Sequence, residues 1–222
     1  GHVQLVDVPP PSMLYGKTYP YFTSGNPDMV DHFGTSISYI LEIIENPIKF
    51  AVELGSNDGT FLAKLRQESG CKVLGIDPSE MPVSKARRNG VETVLDYFSP
   101  LLAEAISDEF GRPDLIIANN VFAHIDDLIT CTQTISTLLD EGGYFVFEAS
   151  YLVDVVKRFL VGTIIHEHLS VHSLYSLAPF LAKYSLEIVH AKNVKNIQGG
   201  AIVVVCRKAS GSPLPEYIRS LI

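Results

Sequence analysis

The stretch FAVELGSNDGTF, from Phe50 to Phe61, joins an apolar run to an acidic residue, two glycines and several short polar residues. An apolar pattern with helical spacing follows, so the stretch predicts a strand, a tight loop and a helix. Gly55 and Gly59 allow the backbone to turn sharply and to approach a ligand closely. Because the first turn of a helix has unpaired N–H groups and a partial positive charge, this corner is expected to bind an anionic or carboxylated group.

The spacing of the glycines narrows the choice of ligand. A dinucleotide site needs G-x-G-x-x-G, whereas Gly55 and Gly59 enclose Asn57 and Asp58, whose carboxylate would repel phosphates. A second apolar run ends in Asp77 about twenty residues further on, where an acidic side chain can accept hydrogen bonds from both hydroxyls of a ribose. One ribose is therefore indicated in preference to a pyrophosphate.

Composition limits the class of protein. The 222 residues are 46% hydrophobic and 19% charged, as in a soluble globular domain with a sizeable core. No apolar run approaches the roughly 20 residues that a membrane span needs, and the net charge of −8 argues against nucleic acid as a partner. The three cysteines form no C-x-x-C pair, which indicates free thiols in a reducing compartment, most simply the cytoplasm.

The chain is expected to consist of one domain with a short segment at each end. Residues 1–26 are predicted to be an extended linker rich in Pro and Tyr, in which Pro9 to Pro11 exclude a regular helix. Residues 27–208 are predicted to form the domain, and residues 209–222 a linker or the start of a missing domain. Gly1-His2 resembles the remnant of a cleaved tag, so we expect a part excised from a longer protein.

The aromatic residues of the first segment invite two interpretations. They are too numerous for a free linker: Tyr15, Tyr19, Tyr21 and Phe22. Packing on the core is one interpretation, and a tyrosine hydroxyl that reaches a ligand is the other.

Apolar periodicity predicts an α/β fold. Strands are expected near 50–54, 72–76, 91–95, 114–118, 144–148, 186–191 and 201–207, and helices near 28–46, 78–89, 99–110 and 125–139. The alternation implies about seven mostly parallel strands with helices on both faces. In such sheets ligands bind outside the carboxyl ends of the strands. Six residues that could bind a ligand or take part in catalysis are expected at or just beyond these ends: Gly55, Asp77, Asp96, Asn119, His124 and Glu148.

A histidine cluster follows the fifth strand. The segment GTIIHEH runs from Gly162 to His168, and His172 lies four residues beyond it. The H-E-x-x-H spacing of a zinc helix is absent, so no metal is predicted. A histidine beside a carboxylate suits acid/base catalysis on a substrate proton, although hydrogen-bonded loop residues would give the same sequence.

Two levels of family resemblance follow from these motifs. Glu53-x-Gly55 with Asp77 resembles the first two motifs of class I S-adenosylmethionine-dependent methyltransferases. NNVFAH (119–124), GTIIHEH (162–168) followed by Leu-Ser, YPYFTS (19–24) and Gly199-Gly200 together resemble the C-methyltransferases of nucleotide-linked deoxysugars. This second resemblance extends from the tyrosine segment to about Arg207.

The resemblance implies a cofactor, S-adenosylmethionine, and a small-molecule substrate, a nucleotide-linked 4-keto sugar. It implies that a base removes the proton beside the ketone and that the enolate takes the methyl group. His168 matches the family's base and Glu167 its catalytic neighbour, while His124, Tyr19 and Tyr21 match further active-site positions. The residues expected to bind the cofactor are Glu53, Gly55, Asn57, Asp58, Gly59, Asp77, Pro78, Asp96, Tyr97, Asn119, Asn120 and His124.

The sequence departs from the family at three points. Ile165 stands where family members usually have a tyrosine directly before His-Glu-His, and both a cysteine-rich zinc domain and a C-terminal Rossmann-like domain are missing. Alternatives therefore stay open: an O- or N-methyltransferase of a small metabolite, or a cofactor-binding module without catalysis. A nicotinamide dehydrogenase is disfavoured because the pyrophosphate glycines are absent.

Overall fold

The computed structural model describes residues 2–16, 19–195, 200–208 and 215–221. Among them the strands are β1 (Val3–Gln4), β2 (Phe50–Leu54), β3 (Lys72–Asp77), β4 (Thr93–Leu95), β5 (Leu115–Asn119), β6 (Tyr144–Ser150), β7 (Ser170–Val171), β8 (Leu186–Val194) and β9 (Ala201–Lys208). The helices are α1 (Pro11–Leu14), α2 (Pro27–Ile43), α3 (Thr60–Ser69), α4 (Glu80–Arg88), α5 (Pro100–Phe110), α6 (Leu128–Leu138), α7 (Leu152–Lys157), α8 (Leu174–Ala182) and α9 (Glu216–Leu221).

One sheet of seven strands organises this part of the chain, in the order β4-β3-β2-β5-β6-β9-β8. The pairs from β4 to β6 are parallel, while β9 runs antiparallel to both β6 and β8. The predicted α/β fold with a mostly parallel sheet is therefore confirmed. Strands β1 and β7 form a separate antiparallel pair.

Two apolar layers cover the sheet because successive side chains of a strand point to opposite faces. Val52 of β2 enters the layer that also contains Ile106 of α5. The neighbouring Ala51 enters the layer that contains Phe33 of α2 and Leu62 of α3. Strand β2 is consequently buried along its whole length, which is why its sequence is a continuous apolar run interrupted only by Glu53.

The N-terminal segment differs from the prediction. It includes one helical turn, α1, which begins at Pro11, so the expectation that the prolines exclude a helix is wrong there. Proline suits the first helical position because its φ is already helical and its missing N–H would have no partner.

Helix α8, nine residues long with Pro179 inside it, was also not among the predicted helices. The domain boundaries at residues 26 and 208 stay predictions, and residues 209–214 lie outside the described residues. Gly199 of the predicted Gly199-Gly200 motif also lies outside them.

None of the helices in the described part of the chain is both long and apolar enough to cross a bilayer.

Candidate active site

The loop after β2 brings two strand ends into direct contact. Gly55 has φ +64°, and a Cβ there would lie 2.3 Å from Cγ2 of Val121, which follows β5. Gly59 has φ +75° and precedes α3, where a Cβ would lie 3.0 Å from Val91. Both positions therefore require glycine, and the backbone at Gly55 is left open to a ligand on its other side.

Asp77 ends β3 with both carboxylate oxygens held by backbone amides. Asn57 N–H donates to Oδ2 at 2.9 Å, and Ser79 N–H donates to Oδ1 at 2.8 Å. Burial raises the pKa of the Asp77 carboxyl, although these hydrogen bonds act in the opposite direction. Each oxygen keeps a free lone pair, so the side chain is oriented to accept two hydroxyl groups.

Glu53 supplies a buried carboxylate beside this corner. Asn119 Nδ2 donates to its Oε1 at 2.8 Å, whereas Oε2 is buried without a hydrogen-bond partner among the described residues. Burial raises the pKa of the Glu53 carboxyl well above its usual range. An unpartnered oxygen in such a place fits a ligand that brings a donor or a positive charge.

A cavity of about 860 Å³ lies at the carboxyl ends of β2, β3 and β5. Thirteen of the residues expected to act in catalysis or cofactor binding line it: Tyr19, Tyr21, Gly55, Asn57, Asp77, Pro78, Asp96, Tyr97, Asn119, Asn120, His124, Glu167 and His168. In particular, His168 shares this cavity with Gly55 and Asp77, although more than ninety residues separate them in sequence.

Three residues expected to bind the cofactor do not line the cavity: Glu53, Asp58 and Gly59. The Asp58 carboxylate accepts hydrogen bonds from Ser24 N–H at 3.2 Å and Thr60 Oγ1 at 2.7 Å, and it pairs with Lys85 Nζ at 3.2 Å. Burial would raise the pKa of Asp58, but these partners outweigh burial and lower it. Asp58 thus stabilises the loop after β2 and does not line the cavity.

Glu148 lies inside β6, two residues before the strand ends at Ser150, and it is also absent from the cavity lining. It is buried and pairs with His32 of α2 at 2.6 Å, and Asn120 Nδ2 donates to it at 3.3 Å. The expectation that Glu148 falls at the strand end is wrong, because β6 continues to Ser150, and the pair with His32 of α2 keeps Glu148 in the protein interior.

The N-terminal segment is tied down across the cavity. Thr23 N–H donates to Asn57 Oδ1 at 2.9 Å, and Asn57 Nδ2 donates to the Tyr21 carbonyl at 3.1 Å. Tyr97 donates its hydroxyl to the Tyr15 carbonyl at 3.0 Å. Tyr15, Tyr19 and Tyr21 of this segment line the cavity and belong to neither apolar layer of the sheet, so packing on the core is not what these rings do, and contact with a ligand stays a prediction.

One ring nitrogen of His168 is fixed by a backbone carbonyl. Its Nδ1 lies 2.6 Å from the Thr163 carbonyl oxygen. A carbonyl can only accept, so Nδ1 carries a proton and Nε2 is the nitrogen with the free lone pair. Among the described residues Nε2 has no hydrogen-bond partner. The neighbouring His166 is exposed and its Nε2 lies 3.9 Å from Glu167.

His124 stands next to His168. The two imidazole rings have centroids 5.1 Å apart. Burial, followed by the neighbouring His168, lowers the pKa of His124 to about 4, so His124 is neutral at pH 7. Its Nδ1 is 2.9 Å from the hydroxyl of Tyr15.

Tyr15 lines the cavity although the sequence did not mark it as a site residue. Its ring is parallel to that of His124 within 8° and meets the edge of Tyr19 at 5.3 Å. Burial, and then Glu167, raises the pKa of Tyr15, and the same two causes raise the pKa of Tyr19 to about 12. Both hydroxyls are therefore protonated at neutral pH.

The electrostatics of the cavity favour a cation. None of the described lining residues is Lys or Arg. Six of them are acidic: Asp28, Asp77, Asp96, Asp126, Asp127 and Glu167. The sulfonium and ammonium groups of S-adenosylmethionine fit such a lining, which also contains Asp77 and Gly55.

The sequence matches the Methyltransferase domain family over residues 35–191. It is 33% identical over 201 residues to the C-methyltransferase NovU of Streptomyces niveus, a match that covers 90% of this chain and 47% of NovU. It is 27% identical over 113 residues to a ubiquinone biosynthesis O-methyltransferase of Stutzerimonas stutzeri, covering 50% of this chain and 48% of that protein. The chain thus spans about half the length of the curated relatives it matches.

Solved structures share the fold. A SAM-dependent methyltransferase from Archaeoglobus fulgidus has a TM-score of 0.65 at 12% identity, covering 81% of this chain and 94% of that one. Magnesium protoporphyrin IX methyltransferase from Synechocystis PCC 6803, solved with bound SAH, has a TM-score of 0.61 at 12% identity, covering 81% and 83%.

The fold and the family match define the class of S-adenosylmethionine-dependent methyltransferases. By its match over residues 35–191, the chain belongs to the Methyltransferase domain family.

Proposed function

We propose that this domain methylates a carbon atom next to the ketone of a nucleotide-linked deoxysugar, with His168 as the base. The observation that carries the proposal is the orientation of His168: its Nδ1 is held by the Thr163 carbonyl while it lines the same cavity as Gly55 and Asp77. The 33% identity to a C-methyltransferase supports transfer to carbon.

The chemistry requires a base in that position. A carbon next to a ketone becomes nucleophilic only when it loses a proton, and bound S-adenosylmethionine supplies an electrophilic methyl group. His168 would take the proton on Nε2, and the Thr163 carbonyl would stabilise the resulting imidazolium through Nδ1–H. Glu167, which the resemblance matches to the catalytic neighbour of the base, lines the same cavity.

The distribution of charge in the cavity suggests which part of the nucleotide sugar enters it and which part stays outside. The acidic lining and the absence of Lys and Arg from its described residues disfavour a diphosphate inside the cavity. The sugar ring would therefore enter while the phosphates stay at the rim. Ile165, which stands where the resemblance leads one to expect a tyrosine, is 40% exposed and is not among the residues that line the cavity.

Hydrogen/deuterium exchange tests the proposal. The domain, with S-adenosylhomocysteine, would be incubated in D₂O with nucleoside diphosphate 4-keto-deoxyhexoses, and deuterium at the carbon beside the ketone would be followed by NMR. We expect exchange by the wild type and a loss of about 10²- to 10⁴-fold in His168→Asn, the range for general acid–base catalysis. His166→Asn is the matched control, because this exposed histidine of the same tripeptide lies outside the cavity lining and should exchange normally.

Methyl transfer to oxygen is the second candidate, favoured by the match to an O-methyltransferase. An oxygen acceptor needs no loss of a C–H proton. Methyl transfer to an acceptor without any exchange at carbon would therefore establish this candidate and contradict the first. A full-length relative assayed in parallel serves as the positive control. If that relative is active while this domain binds the cofactor but catalyses neither exchange nor transfer, the domain is a binding module.

A further inference from the structure

His124 and His168 line the same cavity, but the two side chains cannot have the same role. In the neutral ring of His168 the proton is on Nδ1, which donates to the Thr163 carbonyl, so Nε2 is the nitrogen that can accept a proton. A second free base beside it would add nothing, whereas a hydrogen-bond donor would stabilise the negative charge that develops on the ketone oxygen as the proton leaves. Which of these His124 can supply depends on its tautomer.

Tyr15 decides that tautomer. Its hydroxyl is 2.9 Å from His124 Nδ1, and no other hydrogen bond to His124 side-chain nitrogens is made by the described residues. A phenol O–H is more acidic than a neutral imidazole N–H and donates more strongly, while an unprotonated imidazole nitrogen is a good acceptor. The favoured arrangement therefore has Tyr15 as the donor and Nδ1 as the acceptor, which leaves the proton of the neutral ring on Nε2.

We infer that Tyr15 is a positioning residue that holds His124 in the Nε2–H tautomer, so that His124 donates a hydrogen bond to the oxygen of the enolate. The role in turnover rests on the proposed function, whereas the tautomer itself does not. His124 is the donor that touches the acceptor, and Tyr15 acts only through it.

The structure holds Tyr15 firmly enough for this role. Its backbone N–H donates to the Pro11 carbonyl at 2.8 Å, and its carbonyl accepts from the Tyr97 hydroxyl at 3.0 Å. Its ring lies parallel to His124 and against the edge of Tyr19. Since these contacts do not involve the hydroxyl, Tyr15→Phe should fold and keep the ring in place while removing the hydrogen bond.

Nitrogen-15 NMR of the histidine rings measures the tautomer directly, because protonated and unprotonated ring nitrogens differ widely in chemical shift. His124 signals would be assigned by their loss in His124→Gln. In the wild type we expect protonated Nε2 and unprotonated Nδ1. In Tyr15→Phe the ratio of the two tautomers should shift by about fivefold towards Nδ1–H, the contribution of one neutral hydrogen bond. A wild-type ring protonated on Nδ1, or an unchanged ratio in Tyr15→Phe, would overturn the inference.

A double-mutant cycle on the deuterium exchange rate separates this role from a merely structural one. The side-chain amide introduced by His124→Gln would donate without any tautomer to select. Tyr15→Phe should therefore slow exchange in the wild-type background and have no further effect in the His124→Gln background, whereas additive effects would contradict the inference. Tyr175→Phe, an exposed residue of α8, is the control for replacing a tyrosine. Because the NMR result needs no acceptor, a failure of the proposed function would appear as absent exchange with the expected tautomer still present.

Discussion

The side-chain amide of Asn57 donates a hydrogen bond to the carbonyl oxygen of Tyr21 across 3.1 Å, and this contact joins the loop after β2 to the N-terminal segment that lines the cavity. The same side chain accepts from Thr23 N–H, and its own backbone N–H donates to Asp77. Asn57 thus connects Asp77, the predicted ribose-binding carboxylate, to residues 21–23 of the N-terminal segment.

Removal of the Asn57 side chain should loosen the N-terminal segment. Asn57→Gly is the suitable change, because the residue has φ +50° and glycine accepts that conformation. We expect faster limited proteolysis within the first 26 residues and about tenfold weaker cofactor binding, since at least two neutral hydrogen bonds are lost. Asn46→Gly, at an exposed bend, is the control. Proteolysis at the wild-type rate would show that these contacts do not hold the segment.

Gly55→Ala should destabilise the domain more than Gly70→Ala. Both glycines have positive φ, +64° and +73°, so both substitutions strain the backbone by about 1–2 kcal/mol. Only the Cβ at position 55 meets another group, Val121 at 2.3 Å, while nothing lies within 4 Å at position 70. Overpacking adds about 1–3 kcal/mol to the first variant. Urea unfolding measures both, and equal losses of unfolding free energy would rule out the predicted clash.

Asp77→Asn should weaken cofactor binding by about 10- to 100-fold, because hydrogen bonds to a charged group contribute more than neutral ones. Isothermal titration calorimetry with S-adenosylmethionine measures the change. Asp108→Asn, on the exposed side of α5, removes an equal charge at a residue that does not line the cavity and is expected to bind normally. An affinity unchanged in Asp77→Asn would remove the ribose assignment.

His172 should make stability depend on pH. Burial, and then the neighbouring His2, lowers the pKa of His172 from 6.5 to about 4. Between these values the unfolded chain binds a proton that the folded chain does not, so this contribution to stability is present above pH 6.5 and is lost as the pH falls towards 4. The difference in unfolding free energy between the wild type and His172→Asn should therefore shrink over that interval. A difference that stays constant with pH would contradict the pKa assignment.

The sequence predicts most of the fold because the central strands are continuous apolar runs whose ends are marked by polar residues. Asp77 and Asn119 could be placed in the site for the same reason: the topology of a parallel sheet brings the ends of β3 and β5 to one edge. Helix α8 was harder to predict, since it is short and contains Pro179.

Side-chain directions in loops could not be read from the sequence. Asn57 has left-handed backbone geometry, and Asp58 behind it pairs with Ser24 and Lys85 on the outside of the cavity. Tyr15 was singled out only as one aromatic among several, because the path of a segment without periodicity depends on tertiary contacts such as the one with Tyr97. A run of tyrosines in a proline-rich segment was the available signal.

The position of β9 has a consequence for biosynthesis. This strand comes last in sequence among the nine described strands, yet it lies between β6 and β8. While the polypeptide is still being made, β6 therefore has a bare hydrogen-bonding edge until residues 201–208 have left the ribosome. Nascent chains stalled before that point should be captured by chaperones or form aggregates, whereas release after residue 208 should allow the sheet to close.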